Sequence, residues 1–207
     1  MNENKYVIFY RHGETDMNIK DITMGQMTTI DTIFTEKGYQ QIDEISKNMS
    51  ENNIDIVYSS DSKRALETAK IAINKMAKTI PLKIEKNFCG LNVGIFQGTL
   101  YKDFVSNADV QNSFKNNSIK FPNGESINDL NFRLISCIKD ICENSSYKRI
   151  AIVSHSAAIS NLRMYIMKDN YVSLRMCCFM YKNGNIEVID YVPSKNSNKD
   201  LVILKNE

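Results

Sequence analysis

Three short apolar runs, each trailed by a segment of helical periodicity, constrain this chain more than any other feature of its sequence. Lys5–Tyr10, Ile54–Tyr58 and Arg149–Ser154 are rich in β-branched and aromatic residues, and apart from Asp55 every position between their ends is apolar. Runs of that kind read as strands buried on both faces, which belong to mostly parallel sheets. Between them the period lengthens. Thr35–Asn52 places Tyr39, Ile42, Ile45 and Met49 at helical spacing behind Thr35 as N-cap, and a second helix carries Ala65, Ala69, Ile73 and Met76. Leu82–Lys86 reads as a weaker strand. Ser126–Glu143 shows the clearest helical stripe, through Ile127, Leu130, Leu134, Ile138 and Ile141, widened by Ile135 and Cys142. Ala157–Met167 is a largely apolar helix. Cys177–Tyr181 and Ile186–Tyr191 flank Lys182-Asn183-Gly184-Asn185, where Asn-Gly marks a hairpin turn. The alternation predicts an α/β three-layer sandwich: a mostly parallel central sheet with helices on both faces.

The 207 residues contain no repeat and no Gly/Ser/Pro-rich linker, so one domain over residues 1–207 is expected, with a loose polar tail at Ser194–Lys199. A net charge of +2 argues against nucleic acid or an anionic membrane as partner. The five cysteines (Cys89, Cys137, Cys142, Cys177 and Cys178) form no C-x-x-C pair, and two histidines cannot complete a zinc site of usual spacing. No metal and no cofactor is therefore expected. Buried, reduced thiols suit a cytoplasmic protein. The apolar run Tyr6–Tyr10 is too short for an export signal, and no later stretch approaches a membrane span.

Chemistry concentrates where strands end. His12 follows the first strand and His155 the last of the three, so two parallel strands could deliver both imidazoles to one crevice. A strand-end histidine with one ring nitrogen held can attack phosphorus with the other. Arg11 adds forked donors matched to phosphate oxygens, and Gly13 permits close backbone approach. Arg64 lies in the first turn of a helix, where N–H groups also favour an anion, although spacing alone would make it a solvated helix arginine. Residues 99–124 stand apart: polar, with Lys102, Lys115 and Lys120 among Tyr101, Phe104, Phe114 and Phe121. Such an insertion either covers a strand-end site as a lid or forms two short surface helices. Its lysines hint at a second anionic group on the ligand.

These residues make the sequence resemble the histidine phosphatase superfamily, which includes phosphoglycerate mutases and many small phosphatases. Arg11-His12-Gly13-Glu14-Thr15 with Asn18 matches the family signature, and Asp31-Thr32-Ile33-Phe34-Thr35 with Gly38 and Gln41 is similar to its Asp-x-x-Leu-Thr segment. Ser60-Asp61-Ser62-Lys63-Arg64-Ala65 with Thr68-Ala69, then Gly124-Glu125-Ser126, then Val153-Ser154-His155 follow in family order. The resemblance implies a phosphoglycerate mutase-like fold. It also implies a phosphate surrounded by Arg11, His12, Arg64 and His155, with Asn18 as a further ligand and Gly25 beside Met24 or Gln26 at the border. His12 would carry the phosphoryl group.

One departure bears on activity. Where the family has its general acid, the stretch Phe88-Cys89-Gly90 places a glycine. Losing a positioned acid commonly costs about 10²–10⁴-fold in rate. The expected function is thus a phosphatase that favours good leaving groups: aryl esters, acyl phosphates or N–P bonds. Glu85 and Glu125 are candidate substitute acids. The alternatives are a mutase, for which the chain looks short, or a weakened phospho-ligand binding protein. The partner expected is a small phosphorylated metabolite or a phosphoprotein.

Overall fold

The computed structural model describes residues 5–28, 33–166, 186–191 and 201–203. Strand β1 (Lys5–Arg11), the short helix α1 (Asp16–Ile19) and helix α2 (Glu36–Glu51) open the chain. Strand β2 (Ile56–Ser59), helix α3 (Lys63–Asn74) and strand β3 (Leu82–Ile84) follow. Helices α4 (Tyr101–Ser106), α5 (Ala108–Lys115) and α6 (Ile127–Asn144) precede strand β4 (Arg149–Ser154) and helix α7 (Ser156–Ile166). Strands β5 (Ile186–Tyr191) and β6 (Leu201–Ile203) complete a sheet in the order β3-β2-β4-β1-β5-β6. The first four in that order run parallel, and β5 pairs antiparallel with both β1 and β6. This is the expected α/β class.

The continuous apolar runs do bury both faces. Val7, Phe9, Ile56, Ile150 and Ile152 join a core with α6 and α7, whereas Ile8, Tyr10, Val57, Ala151 and Val153 pack against α2 and α3. Successive residues of one strand thus feed opposite layers, as a period of two requires. The α6 stripe is buried as read, and each such apolar side chain contributes roughly 1.5–3 kcal/mol. Ser126 caps α6 in a reciprocal pair with Asp129, and Thr35 caps α2 by accepting from the Gly38 N–H.

Several boundaries move. The strand expected over Leu82–Lys86 stops at Ile84, because Glu85 turns its carboxylate back onto the Asn87 N–H and starts a 3₁₀ turn over Lys86–Phe88. Helix α3 ends at Asn74, before Met76, and Tyr39 of the α2 stripe is half exposed while the polar Gln41 is buried. Cys89, Cys137 and Cys142 are buried free thiols. Thr29–Thr32 (with Asp31), Met167–Gly184 with Asn185, Cys177 and Cys178, and the tail Ser194–Lys199 lie outside the described residues. Among those described, no helix is long and apolar enough to cross a membrane.

Candidate active site

The parallel register sets the site. Arg11 pairs with Ser154 across β1 and β4, and Ser59 of β2 pairs with Val153. The next residues, His12 and His155, therefore leave neighbouring strands at one level, with Ser60 of the third strand one residue short of it. The His12 N–H donates to the Ser154 carbonyl at 3.1 Å, and the Ser60 N–H to Val153 at 3.0 Å. The two imidazole centroids lie 5.3 Å apart, and both side chains are buried.

The turn after β1 is held from the α2 and α3 side. The Gly13 N–H donates to Thr68 Oγ1 at 3.1 Å and the Glu14 N–H to Gln41 Oε1 at 2.8 Å. A Cβ on Gly13 would lie 2.8 Å from the Gly38 carbonyl oxygen, and one on Gly38 would overlap the Glu14 backbone. Two bare glycines let α2 press against the histidine turn. Glu14 itself accepts from Thr35 Oγ1 and from Lys37 Nζ, at 2.9 and 3.1 Å.

Hydrogen bonds fix both histidine tautomers. His12 Nδ1 lies 2.8 Å from the Gly13 carbonyl, which only accepts, so Nδ1 carries the hydrogen and Nε2 the lone pair. Arg64 Nη2 donates to His155 Nδ1 at 3.1 Å, so the hydrogen of His155 sits on Nε2 and is shared with Ser60 Oγ at 2.9 Å and Ser62 Oγ at 3.2 Å. Burial, and after it the charge of Arg64, hold both imidazoles well below the usual histidine range. Both rings are neutral at pH 7. Arg64 is itself buried, which pushes it down to about 10, still charged at neutral pH. Its guanidinium donates to the Met27 and Gly25 carbonyls, each at 2.9 Å, while its Nε hydrogen meets no acceptor. An unpaired buried donor costs roughly 1–3 kcal/mol, which an anion oxygen would relieve.

These groups open into a cavity of about 370 Å³, lined by Arg11, His12, Asn18, Gly25, Arg64 and His155 at its polar end. Met24 also lines it. Asn18 Oδ1 accepts from the Thr15 N–H and hydroxyl, each at 3.0 Å, which commits the oxygen and leaves the amide nitrogen as its donor. Of the residues expected at the border, Gln26 is not brought in: its amide reaches Glu125 at 3.4 Å. Neither candidate substitute acid lines the cavity. Glu85 caps its own 3₁₀ turn, and Glu125 binds Arg133 at 2.8 Å. The insertion supplies Tyr101, Phe104 and Phe114 to the lining, but Lys102, Lys115 and Lys120 are not part of it.

Three features escaped the sequence. Ser60 and Ser62 orient His155, which their position beside Arg64 in one polar block could have suggested. Arg133 donates to the carbonyls of Asn87, Cys89 and Gly90 while pairing with Glu125, and so pins the loop that borders the cavity. Nothing in the spacing of a charged helix residue indicates backbone partners more than forty positions away. The acid position at Gly90 is also not empty space: a Cβ there would stand 2.7 Å from the Gly25 carbonyl oxygen.

The family described as the histidine phosphatase superfamily (branch 1) matches residues 7–203. A broad-specificity phosphatase of Saccharomyces cerevisiae is 26% identical over 190 residues, covering 88% of this chain and 77% of its own. A phosphoglycerate mutase-like protein of Arabidopsis thaliana is 29% identical over 161 residues, covering 75% and 68%. Among solved structures, a phosphoserine phosphatase of Entamoeba histolytica, in a mutant form bound to phosphoserine, superposes with a TM-score of 0.78 at 21% identity, covering 97% of this chain and 95% of that one.

Proposed function

The chain belongs to the histidine phosphatase superfamily, and from that premise we propose that it is a phosphatase working through a phosphohistidine on His12. The observation that carries this reading is the pairing of a neutral His12, its lone pair on Nε2, with the buried, charged Arg64 whose Nε hydrogen lacks an acceptor. His12 Nε2 attacks phosphorus, the P–O bond to the leaving group breaks, and the bond electrons leave on that oxygen. Arg11, Arg64 and the Asn18 amide hold the three non-bridging oxygens, and His155, its Nε2–H committed to Ser60 and Ser62, accepts from Arg64 at Nδ1 and so positions that guanidinium beside them. Water then displaces His12 from phosphorus, yielding inorganic phosphate and the free imidazole.

Protonation of the leaving oxygen is the weak step. No carboxylate stands at position 90, and Glu85 and Glu125 are committed elsewhere. Leaving groups that are stable as anions need no such donor, so aryl and acyl phosphates are the favoured substrates. A phosphoenzyme formed from an aryl phosphate, quenched in denaturant, will carry acid-labile phosphate on the peptide containing His12. Phosphate label that is acid-stable, or located elsewhere, would overturn this mechanism.

The same vacancy favours a second reading, in which the pocket binds a phosphorylated ligand and turns it over only vestigially. Restoring the acid will not separate the two. In Gly90→Glu the new Cβ meets the Gly25 carbonyl, which is an acceptor for Arg64, so the side chain displaces the loop that holds the arginine. Turnover of an aryl phosphate is expected to fall about tenfold or more, in place of the about 10²–10⁴-fold gain that a well-placed acid supplies with poor leaving groups. Steady-state kinetics of Gly90→Glu with an aryl and an alkyl phosphate checks this, and a gain on the alkyl ester would sink it.

A further inference from the structure

The cavity is chemically divided. Beyond the polar end just described, its wall is built by Ile22, Leu91, Val93, Tyr101, Phe104 and Phe114. Phe104 and Phe114 are buried and rigidly packed: their rings lie 6.1 Å apart, and each meets Phe121, at 6.0 and 5.4 Å. This aromatic cluster belongs to the same core as α6, so the wall is part of the folded body. Among the described residues lining the cavity, the only cations are Arg11 and Arg64, both at the phosphate end. The remaining charged groups are carboxylates. Glu14 is offset by Lys37, and the exposed Asp21 stands at the rim. Lys120, whose position in the sequence suggested a second anion site, pairs with Asp129 at 3.2 Å.

We infer that the leaving group of the substrate is apolar, aromatic by preference, and carries no second anion near the phosphate. The inference rests on the reading that the polar end holds a phosphate. A carboxylate or second phosphate on the leaving group would be pushed against aromatic rings and toward Asp21, with only the neutral hydroxyls of Thr23, Tyr101 and Ser156 in the lining to replace its water and no cation to offset its charge. A phenyl or benzyl group instead covers the rings of Tyr101, Phe104 and Phe114 and leaves no polar group stranded. The cavity volume, about 370 Å³, admits a phosphate with one such ring.

Phosphonates test this without turnover, because their C–P bond is not cleaved and acid catalysis plays no part. Calorimetry on the intact chain compares inorganic phosphate, benzylphosphonate and 2-carboxyethylphosphonate, at a pH where all three are dianionic at phosphorus. Benzylphosphonate is expected to bind about tenfold or more tighter than inorganic phosphate, and 2-carboxyethylphosphonate no tighter than it. A carboxyethyl compound that matches or beats the benzyl one overturns the inference, as does a benzyl compound no better than phosphate. Failure of inorganic phosphate to bind at all is a different result: it removes the phosphate site itself, and with it the phosphatase reading.

Discussion

Replacing His12 with alanine is expected to lower turnover of an aryl phosphate by about 10⁴–10⁶-fold, while binding of inorganic phosphate changes less than about tenfold. The two effects separate because different atoms carry them. His12 supplies the lone pair that forms the bond to phosphorus; among the described residues lining the cavity the other imidazole, His155, has its Nδ1 lone pair engaged by Arg64, while Cys89 is outside the lining and burial pushes its thiol up to about 11. The anion is held chiefly by Arg11, Arg64 and Asn18, which the substitution leaves in place. Loss of the imidazole takes the Nδ1 hydrogen from the buried Gly13 carbonyl, and water entering the space vacated by the ring, which lines the cavity, can replace it, so the cost to folding is small. Kinetics and phosphate titration on the same preparation check both halves. A variant with undiminished turnover would assign the chemistry to another group, and a variant that lost phosphate binding in proportion would make His12 a ligand only.

How far such a site can be read from sequence depends on which interactions are local. His12 and His155 were legible because each sits just after an apolar run, and parallel pairing brings strand ends to one level; Arg64, set back in a polar block, was legible through the family resemblance and not by spacing. Capping by Thr35 was likewise readable, since the donor lies three residues from the acceptor. What stayed hidden is long-range and backbone-directed. Glu85 falls inside the strand that Leu82–Lys86 predicts, yet it ends that strand by bonding the chain two residues on. Gly90 reads in sequence as a gap where a carboxylate belongs, because a sequence records the missing side chain and not the Gly25 carbonyl that lies against it. The insertion at residues 99–124 was read as either lid or surface. Its phenylalanines are core, its lysines are outside the cavity, and only the fold sorts one from the other.

Arg133→Met is expected to destabilise the protein by about 3 kcal/mol, at the lower end of the range for breaking a largely buried ion pair. Every guanidinium hydrogen of Arg133 is used: Nε and Nη2 bond the two oxygens of Glu125, Nη2 also reaches Gly90, and Nη1 reaches Asn87 and Cys89. The pair is only 17% and 14% exposed, so water does not readily replace the lost donors. Methionine keeps much of the aliphatic bulk and none of the hydrogen bonds, leaving Glu125 with an uncompensated charge and three carbonyls without their donor. By contrast, Lys70 and Glu67 on the surface are 48% and 39% exposed, and removing that pair should change stability by less than about 1 kcal/mol. For a chain of this size, about 3 kcal/mol lowers the melting temperature by roughly 6–12 °C. Differential scanning calorimetry of the two variants decides the point, and equal shifts would show that Arg133 is an ordinary surface charge. Hydrogen exchange adds the functional consequence. The loop that Arg133 grips carries Gly90 and Leu91 into the cavity wall, so its amides should lose protection in Arg133→Met more than those of β1 or β4. Adding Glu125→Gln to that variant removes the stranded charge while keeping an acceptor for the Asn92 N–H, and should recover part of the lost stability without restoring the loop.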